Sequence, residues 1–221
     1  MRRHEQDCFA KALRVSAEDI RPFDLINAVP SSSELNQVDA VLVGGSGDYS
    51  VVEGGPWLPQ CMDFFCELHD RNKPTFASCW GFQALARALG GIVVTDLNRA
   101  EVGTFEFHMT EAGINDPVFG PLGPRFRAQI GHQDIVDQIP EDAVLLCSSE
   151  RIPNQAYTFE NKTIYATQFH PELELDGLLM RLRAYPEYVE KITGMPMDEF
   201  VATCLPAPET IDVMKRFKEL L

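Results

Sequence analysis

Short apolar runs that end in small residues and lead on to helix-spaced segments set the frame for this chain. Residues 39–43 make one such run, and Gly44 and Gly45 follow it as a tight turn. Residues 59–72 then carry Met62, Phe65, Cys66 and Leu68 at helical spacing. A second apolar run at 74–78 precedes a helical pattern at 81–89, which the pair Gly90 and Gly91 closes. A buried strand is short and apolar on both faces, whereas a helix repeats its apolar positions every three or four residues. Residues 4–14 also read as a helix, with Phe9 and Leu13 on one face. From about residue 91 the chain is strand-rich, with candidates at 91–95, 105–110, 125–129, 143–148, 155–159 and 164–169. Beyond about 175 it is helical, interrupted by Pro186, Pro196, Pro206 and Pro208, with a final helix near 209–221. Strands alternating with helices predict an α/β domain with a mostly parallel sheet. Such sheets form their sites at the carboxyl ends of strands. Both the Gly44–Gly45 turn and Cys79 fall at such ends.

Composition narrows the function classes. Of 221 residues, 45% are hydrophobic, enough for a core in one domain spanning 1–221, with 174–221 as a helical C-terminal extension packed on it. No apolar run is long enough to cross a bilayer, so no membrane association is expected. The first residues lack the apolar stretch of a signal peptide. A net charge of -14 repels phosphate backbones, so no nucleic-acid partner is expected. The six cysteines (Cys8, Cys61, Cys66, Cys79, Cys147 and Cys204) show no zinc-type spacing. They are read as free thiols in a reducing, cytoplasmic setting. No metal site and no cofactor are expected.

Cys79 stands apart by its surroundings. A strand runs through Ala77 and Ser78 into Cys79, and a helix begins near Gly81. Small residues around a strand-to-helix turn suit a nucleophile elbow, where a side chain is exposed on a sharp bend. A helix start also favours a thiolate, because its N–H groups carry partial positive charge. The competing reading is a buried cysteine acting as a small hydrophobe. Downstream, a strand delivers His170, followed by Pro171 and Glu172. A thiolate needs a base to move its proton, and the base needs a third group to hold its tautomer. His170 and Glu172 fill those roles if residue 170 ends a strand beside Cys79; otherwise they are a strand-end histidine and a surface glutamate. Of the other histidines, His4 is terminal, His69 is expected at the surface, His108 lacks an evident partner, and His132 is second in line for a functional role. The glycine turn can supply an oxyanion donor, with Gly45 N–H and Trp80 N–H as the natural pair. It carries no phosphate-loop signature.

Taken together, these segments resemble the class I, triad-type glutamine amidotransferases, nearest to the amidotransferase domain of GMP synthase and its stand-alone relatives. The carrying residues are Gly44 and Gly45; Cys79, Trp80, Gly81, Phe82 and Gln83; Glu101, Val102 and Gly103; Gly131, His132, Gln133 and Asp134; and Gln168 through Glu172. They stand in the family's order over about residues 4–175. The resemblance implies a flavodoxin-like three-layer sandwich and a thioester route from glutamine to glutamate and ammonia. Cys79, His170 and Glu172 would be the triad. Gly44, Gln83, Gln133 and Asp134 would contact substrate.

The chain departs from the family at Ala77, Ser46, Gly131 and Trp80. Ser46 is expected to loosen the oxyanion loop, Gly131 to remove a side-chain contact, and Trp80 to narrow the pocket. The family also starts with a central strand, whereas this chain starts in a helix. A start truncated relative to the native protein is the expectation, which mass spectrometry of that protein would test.

Three functions compete. One is a glutaminase that hands ammonia to a synthase on a separate chain, since no ATP-pyrophosphatase signature follows residue 175. Another is a stand-alone γ-glutamyl hydrolase or peptidase using the same triad. The third is a catalytically silent binding module. Partner or homodimer contacts would lie in the tail, although Leu178, Leu179, Leu182, Tyr185, Tyr188 and Val189 are expected chiefly to cover this domain's own sheet.

Overall fold

A computed structural model describes residues 2–221. The chain enters through α1 (Arg2–Leu13) and a short α2 (Ser32–Leu35), then forms β1 (Val41–Val43), α3 (Leu58–Asp70), β2 (Thr75–Ser78) and α4 (Trp80–Ala88). A strand-rich stretch follows: β3 (Ile92–Thr95), β4 (Glu101–Met109), the small α5 (Glu111–Asn115), β5 (Arg125–His132), β6 (Asp134–Gln138), β7 (Ala143–Ser149), β8 (Ala156–Phe159) and β9 (Ile164–Thr167). The tail comprises α6 (Leu175–Arg183), α7 (Pro186–Thr193), α8 (Met197–Val201) and α9 (Val213–Lys218).

Among the described residues, seven strands form the main sheet in the order β1-β2-β9-β8-β7-β4-β5. The parallel ladders are β1–β2 and β2–β9. The pairs β9–β8, β8–β7, β7–β4 and β4–β5 are antiparallel. Strand direction therefore reverses only at β8 and β4, and β1, β2, β9, β7 and β5 all run the same way. That common direction makes the sheet mostly parallel, as the alternation of elements predicts. Strands β3 and β6 form a separate antiparallel pair.

Helices cover both faces, so the central strands must be apolar on both. In β2, Phe76 turns to one face, with Phe9, Leu13 and Phe217, while Ala77 turns to the other, with Phe65, Phe82 and Leu85. In β9, Tyr165 and Ala166 divide in the same way. This two-sided burial explains why 74–78 reads as a continuous apolar run. A third cluster gathers Leu178, Leu182, Val189 and Phe200 of the tail around Val102 of β4.

Two strands differ from the sequence reading. Strand β4 begins at Glu101 rather than 105, because its ladder with β5 runs unbroken from Glu101↔His132 to His108↔Arg125. Strand β6 has no counterpart in the sequence reading. Its Asp134 is buried but polar, and Asp137 and Gln138 are exposed, so it shows little apolar alternation. The final helix is also shorter, Val213–Lys218, with a separate 3-10 turn at Pro208–Asp212 before it.

Candidate active site

The β2–α4 junction holds Cys79 in a conformation that L residues rarely adopt, φ 53 and ψ −103. Such a backbone is strained and persists only where its surroundings enforce it. Here the Cys79 N–H donates to Thr167 O of β9 at 2.8 Å. Gly81 lets the helix approach β1: a Cβ at that position would lie 2.7 Å from Val43 O. Gly81 N–H also donates to Gly44 O at 3.2 Å, which ties the glycine turn to the elbow. The Cys79 thiol donates to Gly131 O at 3.5 Å.

His170 sits just past the end of β9, with its N–H donating to Gln129 O of β5 at 2.8 Å. The imidazole Nδ1 is 2.7 Å from Glu172 Oε1, and the Glu172 side chain is fully buried. A hydrogen bond there places the proton on Nδ1 and leaves Nε2 to act as base or acid. Gly45 marks where the two side chains meet: a Cβ on it would lie 2.9 Å from His170 Cε1 and 3.5 Å from Cys79 Cβ. Burial disfavours the imidazolium, but the Glu172 carboxylate and Cys79 outweigh it and push His170 up to about 10. Burial likewise opposes ionisation of Glu172. The charge and hydrogen bond of His170, with the Arg181 cation, prevail and lower its pKa.

The expected oxyanion donors have unequal surroundings. Trp80 N–H opens α4 and so lacks an intrahelical acceptor. Gly45 N–H donates to Glu5 Oε1 of α1 at 3.2 Å. A substrate oxygen can take that N–H only by displacing Glu5. Gly44 also lies against Glu5, where a Cβ would be 2.1 Å from Oε1. The Ser46 hydroxyl accepts Tyr49 N–H at 3.2 Å, which braces the turn that the sequence suggested it would loosen. The Trp80 ring packs in the core beside Trp57 and Phe65, with ring centroids 5.7 and 6.2 Å away, rather than narrowing the pocket.

A cavity of about 330 Å³ opens over Cys79 and His170. Three of the expected substrate contacts lie in its wall and are engaged with the protein itself. Gln83 Nε2 donates to Asp134 O at 2.8 Å and to Gln168 Oε1 at 3.1 Å. The Asp134 carboxylate accepts Ser50 Oγ and Thr95 Oγ1, both at 2.6 Å. Gln133 Oε1 accepts Lys191 Nζ at 2.8 Å. Behind this wall, His132 contacts Asp134 O through Nδ1 at 3.0 Å and Glu101 Oε2 through Nε2 at 3.3 Å. Glu101 also accepts Ser149 Oγ and Gln155 Nε2. His132 thus braces the wall from within. His69 is not a surface residue: its side chain is only 15% exposed, packed edge-on against Phe159 with Nε2 3.1 Å from Asp142. His108 lies 3.8 Å from Glu106.

Sequence reasoning did not single out Glu5 or Arg181, nor Lys191. Leu178, Leu182 and Tyr188 pack around Val102 of β4, as expected of residues that cover the sheet, and with Tyr185 they also line the cavity. Their helical spacing signals burial without indicating what they cover. No cluster of three or more metal-type ligands occurs among the described residues, and no helix there is long and apolar enough to cross a membrane.

Residues 11–177 match the family model described as glutamine amidotransferase class-I. That span exceeds half the chain, and the chain belongs to this family. Among similar curated proteins, a glutamine-hydrolyzing GMP synthase of Xanthomonas oryzae pv. oryzae is 31% identical over 137 residues, covering 60% of this chain and 25% of that protein. The chain thus spans about a quarter of the length of such relatives. A protein of Sulfolobus acidocaldarius that is one subunit of a glutamine-hydrolyzing GMP synthase is 32% identical over 144 residues, covering 65% of this chain and 72% of that one. The crystal structure of a glutamine amidotransferase from Thermotoga maritima matches with a TM-score of 0.72 at 22% identity, over 90% of this chain and 84% of that one. That likeness speaks to the fold.

Proposed function

We propose that the chain hydrolyses the side-chain amide of glutamine to glutamate and ammonia, with Cys79 as nucleophile, His170 as general base and then general acid, and Glu172 as its orienter. The observation that carries this reading is the 2.7 Å contact of His170 Nδ1 with the buried Glu172 carboxylate, beside a cysteine held at φ 53. With its proton already passed to His170 Nε2, the Cys79 thiolate attacks the amide carbon. The oxygen of the tetrahedral intermediate takes the N–H of Trp80 and, once Glu5 has moved aside, that of Gly45. Collapse expels ammonia with the proton from His170 and leaves a γ-glutamyl thioester. Water, deprotonated by His170, then attacks the thioester, and glutamate and the thiol are regenerated. Gln83, Gln133 and Asp134 shape the wall against which the amino-acid end of glutamine rests, while Gly44 lies outside that wall and holds the glycine turn to the elbow.

The ammonia would pass to a synthase on a separate chain, a reading supported by the relatives that are named as single subunits of a GMP synthase. A γ-glutamyl compound is the second reading. The cavity reaches past Cys79 to rim residues Asp48, Tyr49 and Leu97, which leaves room for a leaving group larger than ammonia. The test is glutamate release from glutamine by the purified chain, beside Cys79→Ala. Release lost in the variant supports the mechanism, and release unchanged in it refutes Cys79 as nucleophile. Release from a γ-glutamyl peptide but not from glutamine selects the second reading.

A further inference from the structure

The triad has a neighbour that belongs to neither the glycine turn nor the elbow. Arg181 projects from α6 and is only 15% exposed. Its Nη1 lies 3.4 Å from Glu172 Oε1 and 3.5 Å from His170 Nδ1. Its Nη2 lies 4.0 Å from Glu5 Oε1, the oxygen that accepts Gly45 N–H. One guanidinium therefore touches the orienting carboxylate and also the carboxylate resting on a proposed oxyanion donor. Arg181 and Glu5 both fall outside residues 11–177, the span that matches the family model. They come from the first helix and the tail, which close over the site from either side.

We propose that Arg181 is a positioning residue for the triad, whose fixed charge holds Glu172 ionised and aimed at His170. The physical need is plain. Glu172 is fully buried, and a buried carboxylate tends to take up a proton unless cations or donors compensate it. His170 supplies one partner, yet it is a titrating group that gives up its proton during turnover. A guanidinium is a permanent cation, so it holds the carboxylate charge constant through both half-reactions. The other ionisable groups facing the guanidinium are His4 and Cys8 of α1, while Cys79 of the elbow faces it across His170.

This inference rests on the triad reading above, so its test needs a readout independent of substrate. The rate of Cys79 alkylation by iodoacetamide, followed by peptide mass against pH, reads the thiol itself. Thiolate, imidazolium and carboxylate together carry one net negative charge. Without the guanidinium that cluster takes up its next proton at higher pH. Arg181→Met is expected to move the acid limb of the alkylation profile up by about one pH unit, and to lower kcat for glutamate release about tenfold or more. Arg181→Lys, which keeps the charge but not the planar fork, is expected to recover most of the pH shift and part of the rate. A merely structural side chain would lower the rate evenly and leave the limb in place. Melting temperatures are recorded alongside; where Met impairs folding, Arg181→Gln is read in the same way. An unmoved limb in Arg181→Met, or Lys shifting it as far as Met, overturns the proposal. A His170→Gln profile that coincides with wild type overturns the triad reading and this inference together. A His170→Gln profile that differs, with Arg181→Met unmoved, overturns only this inference.

Discussion

Gly45→Ala separates the fold from the chemistry. The added Cβ would stand 2.9 Å from His170 Cε1, where ordinary contacts lie at 3.4–4 Å. Gly45 is not among the positive-φ glycines, so alanine suits its backbone and the strain is steric alone. Neither side yields easily. The imidazole is tethered to Glu172 at 2.7 Å, and the turn is tethered where Gly44 O accepts Gly81 N–H. Relief requires roughly half an ångström to one ångström of separation, and a shift of that size at a reacting group costs on the order of 100-fold in rate. Overpacking should lower stability by only about 1–3 kcal/mol. The assay is kcat/KM for glutamate release, with a thermal melt on the same preparation. Gly131→Ala serves as a comparison, because its Cβ would meet only ordinary contacts at 3.8 Å and beyond, and its loss should be far smaller. Gly45→Ala with wild-type activity would refute the placing of His170 Cε1 and Gly45 in one reacting cluster.

Further outcomes follow from other parts of the site. Glu101→Ala removes the buried carboxylate that Ser149 Oγ, Gln155 Nε2 and His132 Nε2 contact, leaving Gln155 Nε2 only Ser149 Oγ, so stability should fall by about 3–5 kcal/mol, read as a melting temperature lower by roughly 10 °C or more. The His170 pKa, raised from 6.5 to about 10, means that the folded chain keeps a proton the unfolded chain releases. That stabilisation is full below about pH 6.5 and is lost as pH rises through 10, so melts at pH 6 and 9.5 should differ more in wild type than in His170→Gln. Glu5→Gln removes an anion beside Arg181 and should move the acid limb of Cys79 alkylation to lower pH, opposite to Arg181→Met; a shift in the same direction would contradict the charge argument.

The site was legible in the sequence where local chain geometry alone sets it. Ala77, Ser78, Cys79 and Gly81 mark a strand bending sharply into a helix, because only small residues fit between β1, β2 and α4. His170 and Glu172 lie two residues apart on one turn, so their contact is local as well. The central strands announced themselves because burial on both faces demands an apolar run. Strand β6 did not, because its Asp134 is buried by hydrogen bonds to Ser50 and Thr95 rather than by hydrophobicity. Trp80 was misread for a related reason: sequence gives its size but not the side of the helix into which its ring turns.

By itself, then, the sequence determined the alternation of elements, the elbow, the order of the family's motifs and the pairing of His170 with Glu172. All of these depend on residues close together in the chain. Only the tertiary structure decided that Glu5 rests on Gly45 N–H, that Arg181 stands behind Glu172, that Glu101 anchors His132, and that the tail's tyrosines line the cavity. Those contacts join residues far apart in sequence, and a charged side chain at a helical position looks the same whether it meets water or another buried charge. Which of the two it meets is settled by how the elements pack, and no local pattern encodes that.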